Sequence, residues 1–379
     1  MASLRDLIDA YLDVNILLAY ACVLWIMARF ALRLAGLGHA YTAQLRAIRA
    51  VFLAIVFSPF ALWAVTQATD GADVALFDRI NLADFVVSQY LQGNFQMSPE
   101  RLETILGARR TLAAGEFGAL VTVVLALFAA GFAFFFFRLA ASMLKLRRVL
   151  DDSFVWRRIG RVELRLSDTT TVPFSTRGLR RRIIVLPSTM LAEPEDMRIA
   201  LGHELQHLRQ RDVDWEIAME VLKPFFFWNP AFHIWRRMGE ELRELSCDRQ
   251  VIERRGYDVA AYCQCLLRVC HNSLKRRRLF ALQAPVVALV QTESRLFGHR
   301  SVQVLRHRMV SLIDGKAERH PGMVAALLLG PLVALTFLAA VAIQRPGDWS
   351  QDRLMLSTII NLERLAVMNA NSTLTQPSY

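Results

Sequence analysis

Five consecutive residues carry the most informative chemistry of this sequence: His203, Glu204, Leu205, Gln206 and His207. In a helix, side chains four positions apart lie on one face, so the two imidazoles can bind a single metal ion. The carboxylate between them can take a proton from a water molecule. The pattern His-Glu-x-x-His therefore predicts a zinc-dependent hydrolytic centre, although a pentapeptide of this kind also arises by chance on a solvated helix.

A catalytic zinc ion needs three protein ligands and one open position, so a third ligand must come from elsewhere in the chain. The segment 240–248 reads as a helix with three glutamates, Glu240, Glu241 and Glu244. We favour Glu244, because Asp248 follows one turn later and can accept the second ring N–H of a ligating histidine. Glu240 and Glu241 stay open as alternatives. Spacing does not choose among the candidate oxyanion donors, which include His233, Tyr257 and Tyr262.

These residues lie in a chain that is rich in apolar side chains, at 54% hydrophobic with 23 Phe, which is ordinary for an integral membrane protein. Four uncharged stretches approach the roughly 20 residues that a helix needs to cross a bilayer. We predict a mainly α membrane protein with four transmembrane helices, at about 14–34, 50–69, 117–140 and 321–344. The acidic flank before the first stretch favours a retained anchor over a secretory signal peptide.

The distribution of charge predicts the orientation, because basic loops favour the cytoplasmic side. The segment 70–116 is acidic in balance, whereas 144–320 holds most of the excess that makes the net charge +11. We therefore expect residues 1–143 to form a membrane region whose loop 70–116 is extracytoplasmic. Residues 144–320 would form a cytosolic peptidase domain inserted between the third and fourth spans, and the tail 345–379 would be extracytoplasmic.

This charge pattern predicts that both termini lie on the extracytoplasmic side of the membrane, and the family resemblance given below implies the bacterial inner (cytoplasmic) membrane. The basic excess is explained by topology and by contact with the lipid bilayer, whose anionic headgroups attract arginine. No direct nucleic-acid contact is expected. Sequence gives no indication of the oligomeric state.

The predicted peptidase domain reads as an α+β unit. A helical extension of the third span covers 139–150, and strands are expected at 162–166 and 182–186, with a turn-rich link at 169–178. Helical periodicity returns after Pro194 and continues through the zinc pentapeptide. The short aromatic run 224–230 either dips into the membrane interface or packs on the transmembrane helices.

Taken together, the sequence resembles the BlaR/MecR-type membrane zinc metallopeptidases, which belong to the gluzincin group. The resemblance covers roughly residues 10–345 and includes the arrangement of three spans before the peptidase unit and one after it. Its motifs are His203-Glu204-x-x-His207 with Asp212, Trp228-Asn229-Pro230, and Glu244-x-x-Cys247-Asp248. It implies zinc as cofactor, held by His203, His207 and Glu244, with Glu204 as catalytic base and Asp248 as support for a ligand.

The resemblance also implies an edge strand beside the active-site helix that holds substrate by strand addition. The segment Arg182–Leu186 is the expected strand, with Ile183, Ile184 and Val185 as substrate-binding residues. Characterised sensors of the family carry a large penicillin-binding domain after the fourth span, whereas only Arg345–Tyr379 follow it here. Direct β-lactam sensing through such a domain is therefore not expected.

The function that these features predict is a membrane-anchored endopeptidase that transduces a signal by cleaving a cytosolic protein, such as a winged-helix transcriptional repressor. The basic run Lys275–Arg278 is a candidate for self-cleavage, against the alternative of a solvated or lipid-facing loop. Two other functions stay open. One is membrane protein quality control of the HtpX/Ste24 type, and the other is a non-enzymatic signalling scaffold with a residual zinc site.

Overall fold

The computed structural model describes residues 4–68, 82–92, 119–178, 181–275, 298–315 and 321–344, with short pieces at 94, 97–98, 287–288, 358–359 and 361–362. Within these residues the chain is mostly helical with one small mixed sheet. The described helices are α1 (Leu4–Leu34), α2 (Tyr41–Ala68), α3 (Leu82–Leu91), α4 (Ala119–Asp151), α5 (Pro194–Arg209), α6 (Asp212–Phe226), α7 (Pro230–Arg255), α8 (Val259–Lys275), α9 (Gly298–Ile313) and α10 (Pro321–Gln344).

Four of these helices are long and apolar enough to cross a membrane, as predicted. The spanning segments are Ala10–Leu34, Tyr41–Ala61, Thr122–Asp151 and Gly322–Val341. The helices themselves extend beyond the predicted limits, because α2 begins at Tyr41 and α4 continues to Asp151. The chain is therefore a membrane protein, while the sides on which its loops lie stay a prediction.

The chain divides into two compact units. The first comprises Met1–Leu24, Ala50–Leu125 and Leu329–Tyr379, and its buried side chains include Leu17, Leu18 and Ile55. The second comprises Trp25–Arg49 and Ala126–Leu328 and holds the sheet and every residue discussed as a candidate site below. The predicted domain limits of 144 and 320 stay a prediction.

The sheet has five strands in the order β1-β2-β4-β3-β5. Strand β4 pairs in parallel with β2, and the other neighbours are antiparallel. The strands are β1 (Phe154–Ile159), β2 (Val162–Ser167), β3 (Phe174–Arg177), β4 (Arg182–Pro187) and β5 (Val287–Ala288).

This strand order corrects two predictions. Strand β4 lies between β2 and β3, so the segment Arg182–Leu186 is not an edge strand and cannot accept a further strand. Ile184 and Val185 are fully buried and Ile183 is partly buried, because β4 has a strand on each side and its alternating side chains join two different hydrophobic clusters. The expected turn-rich link at 169–178 also contains strand β3.

The main hydrophobic core of the second unit joins this sheet to the helices that carry the candidate site. Leu164 and Ile184 of the sheet pack with Ile199 of α5, Leu266 of α8 and Leu305 of α9. Helix α5 begins with Pro194 in its first turn, followed by acidic side chains that favour a helix N-terminus. Burial of this face therefore fixes α5 against the sheet.

Helix α7 has well-defined ends. Asn229 caps its N-terminus, because its side-chain oxygen accepts the Ala231 backbone N–H at 2.9 Å and Pro230 occupies the first helical turn. Gly256 ends the helix in the left-handed conformation, with φ of +62°. The Asn-Pro pair thus sets the starting point of the helix that carries Glu244 and Asp248.

The aromatic run at the end of α6 packs on the spanning helix α4. The ring of Phe227 lies 5.3 Å from those of Phe128 and Phe135, and Phe225 lies 5.3 Å from Phe132. A Cβ atom at Gly131 would come within 2.4 Å of Phe227, so this glycine permits the close approach. Of the two predicted placements for this run, packing on a transmembrane helix is confirmed.

Candidate metal centre

The helix α5 places the residues of the His-Glu-x-x-His pattern inside the second unit. His203, Glu204 and His207 are all fully buried. The two imidazole rings lie edge to face with centroids 4.5 Å apart, as the spacing of four residues predicts for one helical face. Three buried polar side chains on one helix must find partners or a ligand.

The three predicted metal ligands converge on one point. His203 Nε2 lies 2.9 Å from His207 Nε2. From the neighbouring helix α7, Glu244 Oε2 lies 3.7 Å from His203 Nε2, and Glu244 Oε1 lies 3.9 Å from His207 Nε2. The structure therefore brings two imidazole nitrogens and one carboxylate, residues distant in sequence, to within the space of a single coordination sphere.

The ring of His207 is held by Asp212. His207 Nδ1 donates to Asp212 Oδ2 at 2.6 Å, which leaves Nε2 facing Glu244. Arg211, at φ of +57°, makes the tight turn between α5 and α6 that brings Asp212 back to the histidine. Arg49 from helix α2 supports the same carboxylate, with Nη2 lying 2.5 Å from Asp212 Oδ1.

The ring of His203 is held through Tyr262. His203 Nδ1 lies 2.8 Å from the Tyr262 hydroxyl, which itself donates to Asp248 Oδ1 at 2.8 Å. Asp248 Oδ1 is also 3.3 Å from His203 Nδ1, so the aspartate lies near the ring as the sequence predicts, but the shorter path runs through the tyrosine. Hydrogen bonds of this kind fix the tautomer of a metal-binding histidine.

Arg308 of helix α9 neutralises the acidic side of the centre. Its Nε lies 2.7 Å from Asp248 Oδ2 and its Nη2 lies 2.6 Å from Asp248 Oδ1, a bidentate pair. Its Nη1 lies 3.2 Å from Glu244 Oε2. Although burial raises the pKa of Glu244, Arg308 and the His207 ring lower it to about 2, so Glu244 is a carboxylate at neutral pH.

Glu204 differs from every other acid in the centre. Both of its carboxylate oxygens are buried and make no close hydrogen bond within the described residues, and the neighbouring Ser175 hydroxyl is the one side-chain donor that lowers its pKa. Burial raises the pKa of Glu204, although the nearby histidine rings oppose this effect. A buried carboxylate without a charged partner is costly, so its presence beside two inward-facing imidazoles fits a metal ion with a water molecule.

The alternative third ligands are engaged elsewhere. Glu240 accepts from Arg236 Nε at 2.7 Å, and Glu241 lies 2.8 Å from His307 Nδ1. Cys247 is a different kind of alternative, because ligand atoms of His203, His207 and Cys247 all lie within 4.8 Å of one another. Its sulfur is 3.6 Å from His203 Nδ1, which is also the ring nitrogen that contacts the Tyr262 hydroxyl.

Sequence reasoning missed most of the groups that hold the two rings. In the sequence, Asp212 belongs to a motif that gives it no role, and Tyr262 is one of several candidate oxyanion donors, among them several arginines. No local pattern marks Arg49 or Arg308 as a partner of this centre. Two other candidate oxyanion donors contact backbone carbonyls. His233 Nε2 lies 2.8 Å from the Phe227 carbonyl oxygen, and the Tyr257 hydroxyl donates to the Arg198 carbonyl at 3.1 Å. The contacts of Arg49 with Asp212 and of Arg308 with Asp248 join helices that are distant in sequence, so no local sequence pattern indicates them.

Comparison with known protein families identifies the family to which this chain belongs. The model of the BlaR1 peptidase M56 family matches residues 10–297, which is more than half of the chain. The fold and the site thus define a membrane metallopeptidase. The chain belongs to the BlaR1 peptidase M56 family, and the predicted resemblance to BlaR/MecR-type proteins is confirmed.

Curated relatives share a shorter stretch. The chain is 33% identical over 78 residues to the methicillin resistance mecR1 proteins of Staphylococcus aureus and Staphylococcus epidermidis. This stretch is 20% of the chain and 13% of each relative, so the chain is compared with only a small part of those proteins.

Proposed function

We propose that this protein is a membrane-anchored zinc endopeptidase that transduces a signal by cleaving a cytosolic protein. The observation that carries the proposal is the convergence of His203 Nε2, His207 Nε2 and the Glu244 carboxylate beside the fully buried carboxylate of Glu204. Membership of a metallopeptidase family supports it, and a peptidase acts on a protein substrate.

Two histidines and Glu244 form the proposed ligand set. A bound zinc ion would supply a Lewis acid that polarises a scissile carbonyl and makes water more acidic. Glu244 suits the third position because it is ionised and its oxygens face both Nε2 atoms. Cys247 is a weaker candidate, since its sulfur lies on the Nδ1 side of the His203 ring.

Glu204 is the proposed general base. Its carboxylate lies near His203, His207 and Glu244, forms no ion pair with an arginine or lysine among the described residues, and is kept from bulk water by burial. A carboxyl group whose pKa is raised by burial accepts a proton more readily than an exposed one. Glu204 would remove a proton from the attacking water and pass it to the departing amine, which restores the carboxylate for the next cycle.

Tyr262 is proposed to position His203, and its removal gives a testable effect. We expect Tyr262→Phe to weaken zinc binding by about 10–100-fold, because the His203 ring loses the hydroxyl that links it to Asp248. Tyr257→Phe is the matched control, since that hydroxyl donates only to a backbone carbonyl. Zinc affinity is measured by competition with a chromophoric chelator, and equal affinities for the two variants would contradict this role.

The proposal also includes the side of the membrane on which the peptidase domain lies and the class of protein that it cleaves. The charge pattern of the loops supports a peptidase domain on the cytosolic side of the membrane. The family resemblance and the similarity to the methicillin resistance mecR1 proteins support a role in regulated gene expression. We therefore propose a transcriptional repressor, of the winged-helix type, as the substrate class.

Comparative proteomics tests this function. Cells that produce the parent protein are compared with cells that produce Glu204→Gln, and with Glu253→Gln as a control for an exposed glutamate on α7. We expect one or a few cytosolic proteins, including a DNA-binding repressor, to be cleaved in the parent and control cells and intact in the Glu204→Gln cells. Identical cleavage patterns in all three would contradict the proposal.

A further inference from the structure

A polar cavity of about 420 Å³ lies outside the metal centre in the second unit. Helices α2, α5 and α7 line it. Its inner wall contains Gln206, Ser246 and Gln250, and three arginines, Arg46, Arg209 and Arg254, line it with exposed side chains. The cavity thus combines hydrogen-bonding groups with a concentration of positive charge.

The inner wall is preorganised by its own hydrogen bonds. Gln206 Nε2 donates to Gln250 Oε1 at 2.6 Å, and Gln250 Nε2 donates to Thr42 Oγ1 at 3.2 Å. Gln210 also lines the cavity, and both its amide nitrogen and its amide oxygen are buried without a hydrogen-bond partner in the described part of the chain. Buried polar atoms of this kind require a bound molecule or water.

Among the described residues, no acidic side chain compensates the positive charge of the three arginines. No carboxylate among the described residues lies within 4.0 Å of Arg46, Arg209 or Arg254, whereas the buried Arg243 and Arg308 each pair with acids. Three guanidinium groups around one cavity repel one another, so an anion that enters it is stabilised by all three.

The position of the cavity favours a lipid as the source of that anion. Leu45, Arg46 and Arg49 lie in the first turns of the candidate spanning segment Tyr41–Ala61. Arginines at the end of a spanning helix lie at the depth of the lipid headgroups, and basic pockets between such helices bind phosphate-bearing headgroups. A soluble phosphate compound has the same charge but has no acyl chains to hold it there.

We propose that this cavity binds the phosphate of an anionic phospholipid headgroup. The phosphate oxygens would accept hydrogen bonds from Arg46, Arg209 and Arg254, and the headgroup hydroxyls would bond to the amides of the inner wall. This assigns to the cavity a binding role that is separate from the metal centre.

The same cavity is connected to the metal centre by one ion pair and by one pair of residues adjacent in sequence. Arg49 lines the cavity and holds Asp212, which positions the ring of His207. Gln206 lines the cavity and precedes His207 on α5. A bound lipid would thus stabilise the arrangement of α5 and α7, and peptidase activity would increase with anionic lipid. This second part rests on the proposed function.

Native mass spectrometry of the full chain tests the binding. The protein is placed in nanodiscs of phosphatidylcholine with or without phosphatidylglycerol, and the retained phosphatidylglycerol molecules are counted. The double variant Arg209→Gln/Arg254→Gln is compared with Arg198→Gln/Arg255→Gln, which removes two exposed arginines from the same helices outside the cavity. We expect the cavity variant to bind phosphatidylglycerol at least about tenfold more weakly and the control to match the parent.

Three results would overturn the binding proposal. In the first, both double variants retain as much phosphatidylglycerol as the parent. In the second, both lose it to the same extent. In the third, millimolar inorganic phosphate displaces phosphatidylglycerol fully, which would point to a soluble ligand. Proteolysis of a casein-type substrate in the same nanodiscs tests the connection. Retained lipid with activity independent of phosphatidylglycerol would overturn the connection alone. Absence of proteolysis in every membrane would count against the proposed function, while the lipid count would still test the cavity.

Discussion

Replacing Glu204 by glutamine is expected to lower proteolysis at least about a hundredfold and to leave the zinc content of the protein unchanged. Glutamine has the shape of glutamate but cannot accept a proton from water. The substitution keeps an oxygen that can still face the neighbouring Ser175 hydroxyl, and Glu204 makes no other close hydrogen bond among the described residues. The measurement pairs the rate of cleavage of a casein-type substrate with metal analysis of the purified, detergent-solubilised chain.

Two further variants distinguish loss of the general base from loss of the metal ion and from a nonspecific effect of the substitution. His207→Ala should lose both zinc and proteolysis, because it removes a proposed ligand. Glu253→Gln makes the same chemical change at an exposed site of α7 and should retain both. If Glu204→Gln cleaves the substrate as fast as the parent, Glu204 is not the base.

Replacing Arg308 by methionine is expected to reduce the free energy of unfolding by about 3–5 kcal/mol, because it leaves a buried carboxylate without its charged partner. Both oxygens of Asp248 accept hydrogen bonds from Arg308, and Glu244 Oε2 lies 3.2 Å from the same guanidinium. The loss is measured by denaturant titration of the detergent-solubilised full chain.

Arg306→Met is the matched control for this substitution, since Arg306 is exposed on the same helix. Arg308→Lys retains the charge but not the bidentate geometry, so it should recover part of the stability. Equal stability for Arg308→Met and Arg306→Met would contradict the role that the structure gives to this arginine.

Local sequence pattern was sufficient to predict the parts of the protein that depend on spacing along one helix. The pattern at His203 and His207 predicts two imidazoles on one face, and the structure places them so. Charge-free stretches of the right length predicted the four candidate spans. The spacing of Glu244 and Asp248 correctly placed both near His203, because they lie on one face of α7.

Long-range contacts could not be predicted in this way. Tyr262, Arg308 and Arg49 reach the centre from three other helices, and nothing near them in sequence marks their partners. The prediction for strand β4 was wrong for a different reason. The apolar run Ile183–Leu186 is typical of a strand buried on both faces, and that signal favours an interior position over an edge. The family resemblance predicted an edge strand here instead, and the pairing of β4 with both β2 and β3 shows that this prediction is wrong.

X-ray absorption spectroscopy at the zinc edge of the zinc-loaded full chain tests the central claim most directly. Two imidazoles and Glu244 as ligands predict scattering by nitrogen and oxygen alone, at about 2.0–2.2 Å, with the outer-shell pattern of histidine. Glu244→Gln should weaken zinc binding, and Cys247→Ser should leave the spectrum unchanged. A sulfur scatterer at about 2.3 Å that disappears in Cys247→Ser would contradict the account, because it would assign the third position to the thiol of Cys247.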